Sequence, residues 1–211
     1  MNDSMYDSVS DSKPLLEQVI KGLQCLPGVG RKSAQRMAYH LLDKDRASAA
    51  KLGHLLLEGM QYIGNCNRCR DYTEADLCSI CANEKRNSSL ICIVESPADI
   101  VAIESTASYS GKYFVLMGSL SPLDGIGPDE IGLGELKMQL KGGEINEIIV
   151  ATSATVEGEA TAHFILSMAK QIEGHAIQVS RLAQGVPLGG ELEYLDSSTL
   201  ALSLANRSAI K

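Results

Sequence analysis

Four cysteines carry the clearest chemistry in the sequence. Cys66, Cys69, Cys78 and Cys81 follow the spacing C-x2-C-x8-C-x2-C. Each Cys-x-x-Cys knuckle presents two thiolates to one ion, and four thiolates complete the tetrahedral shell that zinc prefers. No coordination position is left for water, so the expected ion is a single structural Zn2+. The eight residues from Arg70 to Leu77 are mostly polar and cannot fold alone; metal binding supplies the free energy that orders them. Two knuckles exceed what one redox site needs, and a chain expected in the cytoplasm does not keep disulfides. Cys25 ends a helical pattern and Cys92 lies in a strand pattern; both read as packed thiols.

A second group is basic. Gly28-Val29-Gly30 lies between two helical patterns, with Arg31, Lys32 and Arg36 directly after it. Such a hairpin turns the chain tightly and leaves backbone N–H groups at a helix start, where the dipole favours an anion. Lys32 and Arg36 are four apart and share a helix face. Gly28, Gly30, Arg31, Lys32 and Arg36 are therefore the candidate DNA-binding residues, contacting phosphates with little sequence specificity. With no Trp and only two Phe, an aromatic stacking platform is not expected. One hairpin with three bases binds weakly, so useful affinity calls for several copies in a homo-oligomer.

A third group is acidic. Glu95 ends a strand pattern in IVESPADI, and a later strand runs into VATSATVEGEATAHF. This stretch resembles the Toprim domain of topoisomerases, primases and some nucleases. The resemblance implies A-T-D-x-D-x-E-G-E in a catalytic member, two aspartates holding magnesium and the strand-end Glu moving a proton. Magnesium needs hard oxygen ligands, commonly paired carboxylates. Here the two Asp positions are Ser153 and Thr155, while Glu95, Asp99, Glu157 and Glu159 remain. A lone strand-end Glu cannot assemble that site, so a Toprim fold without the chemistry is expected.

The elements that must position these groups can be read from periodicity. Leu15, Leu16, Val19, Ile20 and Leu23 have helical spacing, with Ser12 as a cap and Pro14 in the first turn. Ala34, Met37, Ala38, Leu41 and Leu42 mark a second helix. A third runs from about Arg46 to Ile63 with Ala50, Leu55, Leu56 and Met60 inward. Apolar runs at 90–94, 113–117, 147–151 and 176–182 read as buried strands, alternating with helices near 97–106, 129–141 and 157–171. Such alternation implies a mainly parallel sheet covered on both faces. The loop 121–134 is long and rich in Gly and Pro, and a helix at 197–206 follows.

The expected fold class is α/β multidomain: a disordered tail (1–12), a small helix-hairpin-helix bundle (13–65), a four-cysteine zinc module (66–81), a Toprim domain (89–185) and a short C-terminal helical segment (186–211). Charge changes sign along this order. Residues 13–65 carry eight bases against four acids, whereas 90–211 carry seven bases against fifteen acids. Only the first half suits phosphate; the second suits protein partners. The cysteines fall where the sign changes, which reads zinc as a rigid joint. No apolar run approaches the ~20 residues of a membrane span, and MNDSMYDSVSDS lacks a signal-peptide layout, so a cytoplasmic protein is expected.

LPGVGRKSAQRMA, the four cysteines, VESPADI, SPLDGIGP, TVEGEAT and GVPLGGELEYLD, in this order, are similar to the bacterial RecR family of recombination mediators over roughly residues 14–207. The resemblance implies a non-enzymatic role in RecF-pathway recombinational repair. Family members form ring-like oligomers, here expected as a tetramer, and act with RecO and RecF on gapped DNA to promote RecA loading. Lys32, Arg36 and the four cysteines match the family's basic positions and zinc ligands. Two departures stand out: Arg31 replaces a common Pro, and Ser153-Ala154 replaces a common Asn-Pro. Glu157 and Glu159 are the candidate partner-binding residues, meeting a basic partner such as RecO. LEYLD (192–196) reads as a buried edge strand whose Asp196 caps the last helix. Two alternatives stay open: a divergent magnesium-dependent nuclease or topoisomerase using Glu95, Glu157 and Glu159, and a zinc-stabilised interaction module without DNA contact.

Overall fold

The computed structural model describes residues 13–174, 176–183, 185–205 and 207. The expected tail and the Ser12 cap fall outside them. The chain divides into two units, Met1–Ile63 and Gly64–Lys211.

The first unit consists of α1 (Leu15–Leu23), α2 (Arg31–Asp43) and α3 (Arg46–Tyr62). Pro14 is the N-cap of α1, one residue earlier than the first-turn position expected. Ala34 and Ala38, one turn apart, are fully buried in α2; side chains this small let a neighbouring helix approach closely. Asp45 caps α3 by accepting the Ser48 N–H at 3.2 Å, a local use of a short carboxylate.

The inward face expected of α3 is not there. Leu55, Leu56 and Met60 are 53%, 56% and 80% exposed, and Ala50 is exposed too. Periodicity identifies an apolar stripe but not what covers it. Cys25 likewise lies exposed in the turn after α1 instead of packed.

The second unit opens with a short antiparallel pair, β1 (Gly64–Asn65) and β2 (Tyr72–Thr73), and a four-residue helix, α4 (Ser79–Ala82). These carry the two cysteine knuckles. Then follow β3 (Asn87–Val94), α5 (Pro97–Ser105), β4 (Gly111–Val115), α6 (Leu133–Lys141), β5 (Glu147–Ala151), α7 (Val156–Lys170), β6 (Gln178–Arg181) and α8 (Ser197–Ala205). The sheet is parallel throughout, in the order β4-β3-β5-β6.

Successive strand residues serve opposite faces, as the pleat requires. Ile91, Ile93, Phe114 and Leu116 join Leu136 and Leu140 of α6 and Ile165 and Met168 of α7 in one core. Cys92, Val94, Tyr113 and Val115 join Ile100 of α5 in the other. Cys92 is buried as expected, and burial pushes its thiol up to about 12. Helix α6 starts at Leu133, later than 129, because residues 129–132 form turns ending at Gly132. LEYLD is not a strand: Leu192–Tyr194 form one exposed 3-10 turn. Asp196 does cap α8, accepting the Thr199 N–H at 2.9 Å.

A parallel sheet exposes two edges, and unpaired edge strands invite unwanted pairing. The zinc module lies over the β4 edge. The Val115 N–H donates to the Cys69 carbonyl at 2.8 Å. Lys112, only 5% exposed, donates from Nζ to the carbonyls of Ile80, Cys81 and Asn83 at 2.9, 3.0 and 2.8 Å. Those carbonyls sit at the end of α4, where no further helical turn can take them. From the first knuckle, Arg70 donates to the Ile131 carbonyl at 2.6 Å and lies 5.7 Å over the Phe114 ring. The knuckles are thus part of the sheet domain.

Lys112→Met keeps the aliphatic stem but removes the donor from three carbonyls at the end of α4, that of Cys81 buried. It should lower stability by about 2–4 kcal/mol, read as a lower urea midpoint of the zinc-loaded protein. An unchanged midpoint would contradict this role.

Candidate functional site

At the first knuckle the chain must reverse between Cys66 and Arg70. It does so with the Arg70 N–H on the Cys66 carbonyl at 2.9 Å and Arg70 at φ +67°, a left-handed conformation that is uncommon for a side chain larger than Asn or Asp. At the second knuckle, Cys78 is the N-cap of α4, its sulfur accepting the Cys81 N–H at 3.4 Å. The four buried sulfurs lie within 4.8 Å of one another. Zinc–sulfur bonds of ~2.3 Å in a tetrahedron place sulfurs roughly 3.8 Å apart, so the donor set fits. Cys66, Cys69, Cys78 and Cys81 hold one structural zinc ion.

The protein prepares these thiols unequally. Burial opposes a Cys66 thiolate, yet N–H donors from Cys78, Cys69 and Arg68 outweigh it and bring the thiol down to about 7. Burial is the main cause pushing Cys78 up to about 11. Cys69 is also pushed up, by its hydrogen bond with Cys81 and by burial. The Cys78 N–H on the Cys66 sulfur, at 3.3 Å, is the kind of outer-shell donor that orients a metal ligand.

The hairpin residues fall where expected. Gly28 has φ +75°, open to glycine without the cost a side chain brings. Gly30 is the N-cap of α2, with no side chain capping it. The helical ladder begins with the Ala34 N–H on the Gly30 carbonyl at 3.0 Å, so the N–H groups of Arg31, Lys32 and Ser33 precede it. Arg31, Lys32 and Arg36 are exposed, and Lys32 and Arg36 lie on the side of α2 away from buried Ala34 and Ala38.

The acidic group lies where helices change faces. Strands β3 and β5 are neighbours, but α5 packs on one face and α7 on the other. In open parallel sheets such a switch point is where ligands bind. Here hydrogen bonds span it. Glu95 accepts the Ser153 backbone N–H at 3.1 Å and its hydroxyl. Thr155 caps α7, accepting the Gly158 N–H at 3.1 Å. Any side chain at Gly158 would strike the Ser153 carbonyl at 2.0 Å, so this fastening needs glycine. Asp99 accepts the Ser96 N–H at 2.8 Å across the start of α5.

Glu159 is paired with Arg181 of β6 at 2.6 Å. Both candidate partner-binding acids lie in the first turn of α7, but Glu159 faces its own cation, Arg181. Lys112 and Arg70, which tie the zinc module to the sheet, belong to no motif in the sequence. A lysine preceding the apolar run YFVLM was the only signal for the first.

Four family models match in order. A RecR helix-hairpin-helix model covers residues 16–60, and a RecR zinc finger model of the four-cysteine type covers 63–83. A Toprim domain model covers 89–183 and a RecR C-terminal model 185–208.

Zinc needs thiolates, and near pH 8 Cys69 and Cys78 of the metal-free protein still carry protons. Loading should therefore release at least two protons per zinc, with affinity rising as pH rises. Calorimetry in buffers of different ionisation enthalpy checks this; zinc uptake without proton release would refute it.

Proposed function

The chain belongs to the RecR family of recombination mediators, and from that premise we propose that it is a non-enzymatic, cytoplasmic DNA-binding adaptor. In this reading it acts with RecO and RecF in RecF-pathway repair and promotes RecA loading on gapped DNA. The observation that carries the DNA-binding part is the exposed Arg31, Lys32 and Arg36 immediately behind the Gly28–Gly30 turn. The free N–H groups at the start of α2 and these cations lie in the same turn of chain, which suits a phosphate. Contacts of this kind follow the backbone and not base edges.

Three further observations support the rest. The carboxylate that would have to move a proton, Glu95, is a hydrogen-bond acceptor for Ser153, which favours an adaptor over a magnesium-dependent nuclease. The exposed stripe of α3, with Leu55, Leu56 and Met60, favours self-association, in keeping with a ring-like tetramer. Glu157 offers its carboxylate to a basic partner such as RecO, while Glu159 beside it is already paired with Arg181. No helix among the described residues is long and apolar enough to cross a membrane.

Lys32→Ala combined with Arg36→Ala should weaken binding to DNA of any sequence. It should also reduce the slope of log affinity against log salt by about 2, roughly 0.9 for each lost phosphate contact. Fluorescence anisotropy across a salt series measures both. Unchanged affinity and slope would overturn the hairpin reading, and magnesium-dependent nicking lost on Glu95→Gln would overturn the adaptor reading.

A further inference from the structure

Beside the hairpin, α1 and α2 enclose a cleft of about 260 Å³. Its walls are two stripes at one-turn spacing. From α1 and the residues next to it come Lys13, Glu17 and Lys21, and from α2 come Arg31, Gln35 and Tyr39. Leu16 and Ile20 add apolar lining between them. Three cations against one carboxylate make the cleft electropositive. Tyr39 is 49% exposed, and its phenol oxygen accepts a hydrogen bond from Gln35 Nε2 at 2.9 Å. That bond steadies the ring while leaving much of it accessible.

An apolar patch, an accessible ring and clustered cations in one small cavity match the two halves of a nucleotide, a base with a flat π-face and a phosphate. Stacking of a base on an aromatic ring tolerates any sequence, and cations beside it hold the backbone. A rigid duplex cannot offer an unstacked base to a cleft between two helices, whereas a single strand can. Arg31 belongs both to this cleft and to the basic run that continues through Lys32. The stripe Arg31–Gln35–Tyr39 lies next to the Lys32–Arg36 stripe around the same helix, so one strand can pass from the hairpin into the cleft.

We propose that the cleft between α1 and α2 is a second DNA contact, selective for single strands, in which Tyr39 stacks a base and Lys13, Lys21 and Arg31 hold its phosphates. The proposal rests on the reading of the hairpin as a DNA-backbone site, and it gives that module a means to favour single-stranded over duplex DNA.

The test uses the full-length, zinc-loaded protein with oligothymidylate of about 15 nucleotides and a duplex of the same length, followed by anisotropy. Lys21→Ala and Tyr39→Ala should each weaken oligothymidylate binding roughly fivefold or more, with duplex binding changed less than about twofold. Tyr39→Phe keeps the ring and should keep the affinity. With 5-iodouracil in the oligonucleotide, photo-cross-linking should mark Tyr39. Lys21 is exposed, so its variant reports even if Tyr39→Ala does not fold. Equal losses on both DNAs, or no loss on oligothymidylate, would overturn the proposal. So would unchanged DNA binding with a changed mass by light scattering, which would make the cleft a contact between subunits. If Lys32→Ala with Arg36→Ala has no effect while Lys21→Ala does, the hairpin reading fails and the cleft stands.

Discussion

The ammonium group of Lys112, enclosed with the carbonyls of Ile80, Cys81 and Asn83, joins the zinc module to the sheet. A buried cation is costly unless its donors are met, and a short helix end is costly unless its carbonyls are met. Each feature answers the other's need. The same edge strand hands the Val115 N–H to Cys69, so the chain bearing the metal ligands is also the chain that completes β4. Zinc therefore does more than order a loop. It fixes the cover on one edge of a parallel sheet whose two faces are already closed by α5 on one side and α6 and α7 on the other.

That arrangement relocates the cysteines in the design. Their position in the sequence, where charge changes sign, suggested a joint. Their bonds place them in the second unit, tied to β4, to the Ile131 carbonyl through Arg70 and to α6 through the contact of Gln139 with the Arg68 carbonyl. The crevice between β3 and β5, the natural ligand site of such a sheet, is used for fastening. With Ser153 and Thr155 where acids would stand, one residue binds Glu95 and the other caps α7. This corner of the sheet is held by hydrogen bonds.

Local patterns carried most of this to the sequence reader. The cysteine spacing gave the metal, because ligand geometry is set by a few residues. The runs at 90–94 and 147–151 gave buried parallel strands, because burial on both faces removes alternation. Asp196 was legible as a cap because capping involves only the next three residues. What failed depended on distant partners. The stripe of Leu55, Leu56 and Met60 is helical in period but open to solvent. The LEYLD segment has a strand's composition but no strand beside it. The reach of Lys112, 31 residues back to Cys81, is invisible to any local pattern.

Hydrogen exchange on the zinc-loaded and chelated protein, resolved by segment, tests the claim that zinc secures the β4 edge. Removing zinc should speed exchange in β4 and residues 66–83 first, while α1 to α3 keep their protection. Early loss in α1 to α3 with β4 unchanged would contradict the account and restore zinc to the place of a joint.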